Sequence, residues 1–168
     1  MAEPIFFEAQ EPAAALVEEI YEAAFDPLRY SNLVSAAAEV VGGSASLIYV
    51  LSPHAGQDSW FGHRFPASAM QAYAEHYQST NLWAHEINRR QIAVGTALLT
   101  DALVDARKLE RSEFFADYLS GLEIYRACTV LLNRDERGVR GESHLCIYRS
   151  RSQAPFDKHA ASLLMQLG

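Results

Sequence analysis

The hydrophobic positions of this chain recur at two different intervals, and the switches between them mark out its elements. Over residues 11–25, Leu16, Val17, Ile20, Tyr21 and Ala24 repeat at three and four, the period of a helix with one apolar face. Asp26-Pro27 reads as an N-cap followed by proline at the first helical position. A second helix is then predicted to run to about Val41, with Leu28, Leu33, Val34, Ala37 and Val40 available for burial. Gly42-Gly43 stops it, since glycine takes the left-handed C-cap conformation without penalty. Residues 44–52, SASLIYVLS, switch to β-formers and predict a strand. The run PHAGQD at 53–58 is turn chemistry, and residues 59–65 read as the returning strand of a hairpin.

The chain is organised around residues 66–83, PASAMQAYAEHYQSTNLW. Pro66 suits the start of a helix, and Met70, Tyr73 and Tyr77 then recur at three and four on one face. Ser79-Thr80-Asn81 competes for backbone hydrogen bonds and ends the helix, with Trp83 just beyond it. A short helical piece is predicted over 82–88. Residues 90–98 fit either a short strand or a buried loop, and Thr100-Asp101 fits a capped turn. SEFFADYL, residues 112–119, predicts a helix stopped by Ser120-Gly121. Residues 125–133, YRACTVLLN, and 143–149, SHLCIYR, predict two strands joined by the charged loop RDERGVRGE, residues 134–142. In the second of these strands Leu145, Ile147 and Arg149 alternate with His144, Cys146 and Tyr148, the pattern of a sheet with one better-buried face. An amphipathic helix through Phe156, Ala160, Leu163, Leu164 and Leu167 closes the chain. Four strands in two hairpins, separated by helices, predict an α+β domain. It is an antiparallel sheet flanked by helices, an α/β/α sensor layout of the PAS or GAF kind, with the inter-hairpin helices closing a pocket over the sheet.

Composition narrows the function classes. At 168 residues with 49% hydrophobic content the chain suits one domain with a real core. Residues 1–25 are expected to form an arm and a helix, the arm carrying Ile5, Phe6 and Phe7, and residues 26–168 the domain proper. The net charge of −7 argues against a nucleic-acid-binding surface, because phosphate binding needs clustered Lys and Arg. No apolar run reaches the roughly 18–20 residues of a membrane span, and the acidic N-terminus lacks the basic start of a signal peptide. A cytoplasmic location is the default expectation. Two cysteines are too few for a secreted disulfide framework.

Candidate chemistry is sparse. The six histidines form no H-x-x-x-H pair and no cysteine–histidine cluster with zinc spacing, so no metal is expected. There is no nucleophile elbow, P-loop or dinucleotide fingerprint, no cofactor is called for, and no enzyme is expected. An enzyme would need an Asp or Glu beside a His in the cavity with perturbed ionisation. A turn centred near Arg137 would set Cys128 and Cys146 opposite each other on neighbouring strands, within side-chain contact. The plain alternative for them is two small buried hydrophobes. The aromatic side chains are flat groups with one polar tip each, suited to lining a small-molecule pocket, and equally fit to fill a core.

Four motifs in order bring a family into view. They are Y-x-x-H-Y-x-x-x-N-x-W at 73–83, R-S-E-F-F-x-D-Y-L at 111–119, the strand end Tyr148-Arg149, and Pro155-Phe156 opening the last helix. From about residue 26 onward this resembles the N-terminal sensor region of LuxR-type helix-turn-helix transcriptional regulators. More distantly, it resembles the acyl-homoserine-lactone-binding domains of quorum-sensing regulators. The resemblance implies a homodimeric sensor whose small-molecule ligand, expected to be hydrophobic, acts on an attached DNA-binding domain. The helix-turn-helix itself is not among these 168 residues, so DNA contact is expected only through a C-terminal domain. Ligand contacts are expected from Tyr73, Tyr77, Asn81 and Trp83, then Trp60 and Tyr49, with Phe114 and Tyr118 walling the other side. Asn81-Leu82 stands where the family has Asp-Pro. In the quorum sensors that aspartate accepts a hydrogen bond from the ligand amide; Asn81 can still accept through its carbonyl oxygen but brings two donors and no charge, so a small molecule other than a lactone amide is expected equally. Leu163, Leu164 and Leu167 of the last helix are the candidate dimer surface. A ligand-free interaction module is the alternative reading, and an enzyme on the same scaffold the second alternative.

Overall fold

Two hydrophobic cores, one on each face of a single sheet, define the architecture. The computed structural model describes residues 10–52, 58–134 and 142–166. The expected arm, the turn at 53–57, most of the charged loop at 135–141 and Leu167 lie outside the described residues. The elements are α1 (Gln10–Phe25), α2 (Tyr30–Val41), β1 (Ala45–Leu51), β2 (Ser59–His63), α3 (Ala67–Ala72), α4 (Leu82–Arg89), β3 (Ala97–Leu99), α5 (Ala106–Glu110), β4 (Arg126–Arg134), β5 (Glu142–Arg149) and α6 (Lys158–Met165). The sheet is antiparallel with strand order β2-β1-β5-β4-β3. It has five strands where the two hairpins predicted four. The fifth is β3, the three residues at the end of the stretch that fitted either strand or loop.

One face carries α1, α2 and α6. Leu16, Leu33, Val34, Leu164 and Phe156 pack there against Ile48, Cys128, Val130, Leu145 and Ile147. The other face carries α3, α4 and α5, with Met70, Trp83, Ile87 and Leu109 over Leu47, Ala127, Cys146 and Tyr148. Because β5 is central and covered on both sides, its residues from His144 to Tyr148 are all buried. The expected single better-buried face is therefore corrected: alternation of residue type along this strand sorts side chains between two cores, not between core and water.

The β4–β5 register corrects a second expectation. Cys128 pairs with Ile147 and Cys146 with Thr129. The strands slip by one residue at Leu131/Asn133, and a one-residue shift sends every side chain to the opposite face. The two thiols thus lie in different cores. Gly42 behaves as expected, capping α2 at φ 73°. Arg149 then clasps that helix end, with Nε donating to the Gly42 carbonyl at 2.7 Å and Nη2 to the Val41 carbonyl at 3.1 Å. Its Nη1 reaches the carbonyls of Ala154 and Pro155 ahead of α6, and the guanidinium sits 4.0 Å over the Phe156 ring. Among the described residues no helix is long and apolar enough to cross a membrane.

Candidate functional site

The helix predicted over 66–80 is not one regular helix. It is α-helical to Ala72 and then opens into a π-helical turn, Tyr73–Tyr77, in which the Gln78 N–H reaches back five residues to the Tyr73 carbonyl at 2.8 Å. A second π-helical turn, Phe114–Leu119, replaces the helix predicted over 112–119. Such turns are rare and recur at functional sites. Here they stand side by side and bring the rings of Tyr73, Tyr77, Phe114 and Tyr118 together. Tyr118 stacks on Tyr77 at 4.8 Å and lies 5.8 Å from Tyr73 and 5.7 Å from Phe114. The Tyr118 hydroxyl donates to the Ala69 carbonyl, 3.1 Å, tying the second turn to α3. At the surface, the exposed His76 and Glu113 side chains pair across the same two turns.

Beneath these turns lies a cavity of about 40 Å³. Tyr49 comes to it from β1, Tyr73 and Met70 from the first helical segment, and Asn81 and Trp83 from the start of α4. Phe114 and Tyr118 come from the second π turn, and Thr129, Cys146 and Tyr148 from the sheet. No charged side chain lines it among the described residues. Of the eight residues expected at the site, six therefore meet around one space: Tyr49, Tyr73, Asn81, Trp83, Phe114 and Tyr118. Tyr77 packs behind this lining through its stack on Tyr118. Trp60 sits outside it, 36% exposed on the outer strand β2, although it pairs with Tyr49. The sheet residues Thr129, Cys146 and Tyr148 were not among those expected. Their shared parity on paired strands is the signal that places them together, once the register is known.

Asn81 lines the cavity, and its hydrogen bonds are made within the fold. Its Oδ1 accepts from the backbone N–H groups of Trp83 and Ala84 at 3.0 and 3.1 Å, capping α4. That fixes the amide's orientation, and its Nδ2 donates to the Tyr73 hydroxyl at 2.9 Å. Its oxygen is occupied and does not face the cavity as a free acceptor. The Tyr73 phenol is pushed up to about 12, chiefly by burial and against the opposing effect of the Asn81 bond. Burial likewise raises the Tyr49 and Tyr148 phenols and pushes the Cys146 thiol up to about 11. All are neutral near pH 7. Tyr118 closes its bond to Ala69, the Thr129 hydroxyl meets Cys146 Sγ at 3.1 Å, and Thr100 bonds both backbone groups of Ala127.

Two other features bound this choice of site. A larger hollow of about 380 Å³ lies on the opposite face, among Ile20, Tyr30, Leu33, Ile48, Phe61 and Leu145. Its lining is almost wholly aliphatic and aromatic, with Tyr30 and Ser143 the only side chains among the described residues that could fix a ligand's orientation by a hydrogen bond. His144 is buried, stacks on Tyr49 at 4.9 Å and bonds Glu142, whose carboxylate Arg134 also holds at 2.9 Å. That His–carboxylate pair does not line the cavity. No group of three or more potential metal ligands comes together among the described residues.

The fold is like that of solved LuxR-type ligand-binding domains. SdiA, in its complex with octanoyl-rac-glycerol, superposes with a TM-score of 0.60 at 15% identity, over 99% of this chain and 64% of that one. The chain thus spans just under two thirds of that SdiA chain. The ligand-binding domain of VqsR from Pseudomonas aeruginosa gives 0.59 at 13% identity, over 92% of this chain and 87% of that one. CepR2 from Burkholderia cenocepacia, an N-acylhomoserine-lactone-dependent LuxR family transcription factor, gives 0.56 at 14% identity over 94% and 87%. At these identities the likeness is one of fold. No protein-family model matches the chain, and no curated protein matches it in sequence.

Proposed function

We infer that this chain is a small-molecule-sensing regulatory domain of a LuxR-type transcriptional regulator. It acts in the cytoplasm as a homodimer and controls an attached DNA-binding domain. What carries the reading is the cavity, which has no charged lining among the described residues, is walled by aromatic rings on adjoining π turns, and has a few polar side chains, Asn81 and Thr129 among them, in its lining. The solved structures of like fold add SdiA with octanoyl-rac-glycerol and CepR2, described as N-acylhomoserine-lactone dependent. Signalling is a population shift. A ligand that favours one arrangement of the π turns biases how α6 presents the attached domain.

The cavity volume favours a second reading, a ligand-free interaction module. At about 40 Å³ it holds about three waters at roughly 10–15 Å³ each, whereas benzene occupies an apolar cavity of about 150 Å³. A ligand of a few hundred daltons therefore enters only if the wall opens, and the unbranched Met70 side chain is the most adaptable part of that wall. Native mass spectrometry of the protein from its host separates the two readings. A sensor carries an adduct that weakens in Tyr49→Phe and in Trp83→Phe but survives Tyr77→Phe, because Tyr77 stands behind the lining. A bare mass, with no thermal shift on challenge with host metabolite extract, assigns the aromatics to packing alone.

A further inference from the structure

Asn81 sets which way the Tyr73 hydroxyl points its proton. The cap bonds from Trp83 and Ala84 hold Oδ1 toward the α4 backbone, so only the Nδ2 donor faces Tyr73. A hydroxyl that accepts a hydrogen bond keeps its own O–H free to donate elsewhere. Tyr73 and Asn81 both line the cavity. Trp83 also lines the cavity, and its indole N–H can only donate. The polar wall at this end is therefore donor-rich and holds no acceptor stronger than a phenol oxygen.

Resting on the sensor reading above, we propose that the cavity selects uncharged ligands whose polar end is an ester- or ketone-type oxygen acceptor without an N–H, and that Asn81 is the positioning residue that imposes this choice through Tyr73. A secondary amide brings an N–H that finds only phenol and hydroxyl oxygens here, weaker acceptors than a carboxylate, and a poorly paired buried donor is costly. Aspartate at this position would keep the cap, because its carboxylate still accepts from the Trp83 and Ala84 N–H groups. Those bonds and the helix N-terminus hold it ionised. It would then accept from Tyr73, consume that proton, and leave the phenol oxygen to face the cavity as an acceptor. Asn81→Asp thus reverses the hydrogen-bond polarity of Tyr73 without touching its ring.

The test uses two probes that differ at one atom, methyl octanoate and N-methyloctanamide, titrated calorimetrically into the full chain. Amides lose more hydration than esters on entering any apolar site, so the decisive quantity is the change in the ester-to-amide affinity ratio. Asn81→Asp is expected to move that ratio toward the amide by about tenfold. In a Tyr73→Phe background the same substitution is expected to move it by less than about twofold, the range of independent effects. Circular dichroism melts confirm that each variant is folded. A ratio unchanged by Asn81→Asp, or changed equally with and without the Tyr73 hydroxyl, overturns the inference and leaves the sensor reading standing. If neither probe binds any variant, the inference and the cavity's role as a site for neutral lipid-like ligands fall together.

Discussion

Asn81 makes three hydrogen bonds from one short side chain, two to the α4 backbone and one to Tyr73. Asn81→Ala removes a helix cap and strips a buried phenol of its partner. It should cost about 2 kcal/mol, a cap contributing about 1 and the buried bond a similar amount. Urea denaturation checks this, with Asn81→Asp expected to stay close to wild type. Glu142 makes a second prediction. The bond from His144, then that from Arg134, holds its carboxyl down at about 2 against the cost of its partial burial. A carboxylate whose pKa is depressed on folding stabilises the native state above the ordinary carboxylate range and loses that contribution as pH falls through its folded value. Wild-type stability should therefore decline from about pH 5 toward about pH 2, and Glu142→Gln should lack that part of the slope in chemical denaturation at stepped pH. Which residue types would line a site was legible here, because Tyr73, Trp83, Phe114 and Tyr118 stood at helical or motif spacing. The direction of a single hydrogen bond was not, since it depends on which backbone N–H groups the Asn81 oxygen meets.

At the scale of elements, the glycine stop after α2 and the strands β1, β2, β4 and β5 were readable, because each rests on local chemistry. The π-helical turns were not. Nothing in YAEHY or FFADYL distinguishes an i→i+5 turn from an ordinary helix; the choice is made by packing of one turn's rings on the other's. The short strand β3 was equally hidden, since a three-residue edge strand has no period to detect. The last helix was legible as amphipathic but its partner was not. Leu164 is fully buried against the sheet with Ala160, which withdraws it from the candidate dimer surface. Removing α6 would therefore open the core and say nothing about dimerisation. Leu164→Ala should cost about 2–5 kcal/mol, read as a lower thermal midpoint, with the oligomeric state by light scattering unchanged.

For the whole molecule, the α+β class, the antiparallel sheet and the helical cover on both faces followed from the order of the elements. The strand order β2-β1-β5-β4-β3 did not. It needs the two hairpins to join through β1 and β5, residues about a hundred positions apart that no local pattern links. That joining makes β5 the shared wall of both cores. Tyr148 closes the cavity on one face, Ile147 packs beneath α2 and α6 on the other, and Arg149 grips the end of α2 and the approach to α6. A change in cavity shape thus has a route of two residues to the side of the molecule that carries the first and last helices.

The one-residue register that separates the cysteines has a practical use. Cys128 is sealed in the α1/α2/α6 layer and Cys146 in the cavity wall, so the chain carries one natural clock for each half. A thiol-trapping reagent under native conditions reads how often each layer breathes open, because a buried thiolate reacts only during such excursions. Mass mapping of the two modified peptides gives both rates from one sample. Filling the cavity should slow trapping of Cys146 severalfold more than that of Cys128. Equal slowing would mean that the two halves open only together, as a single cooperative unit.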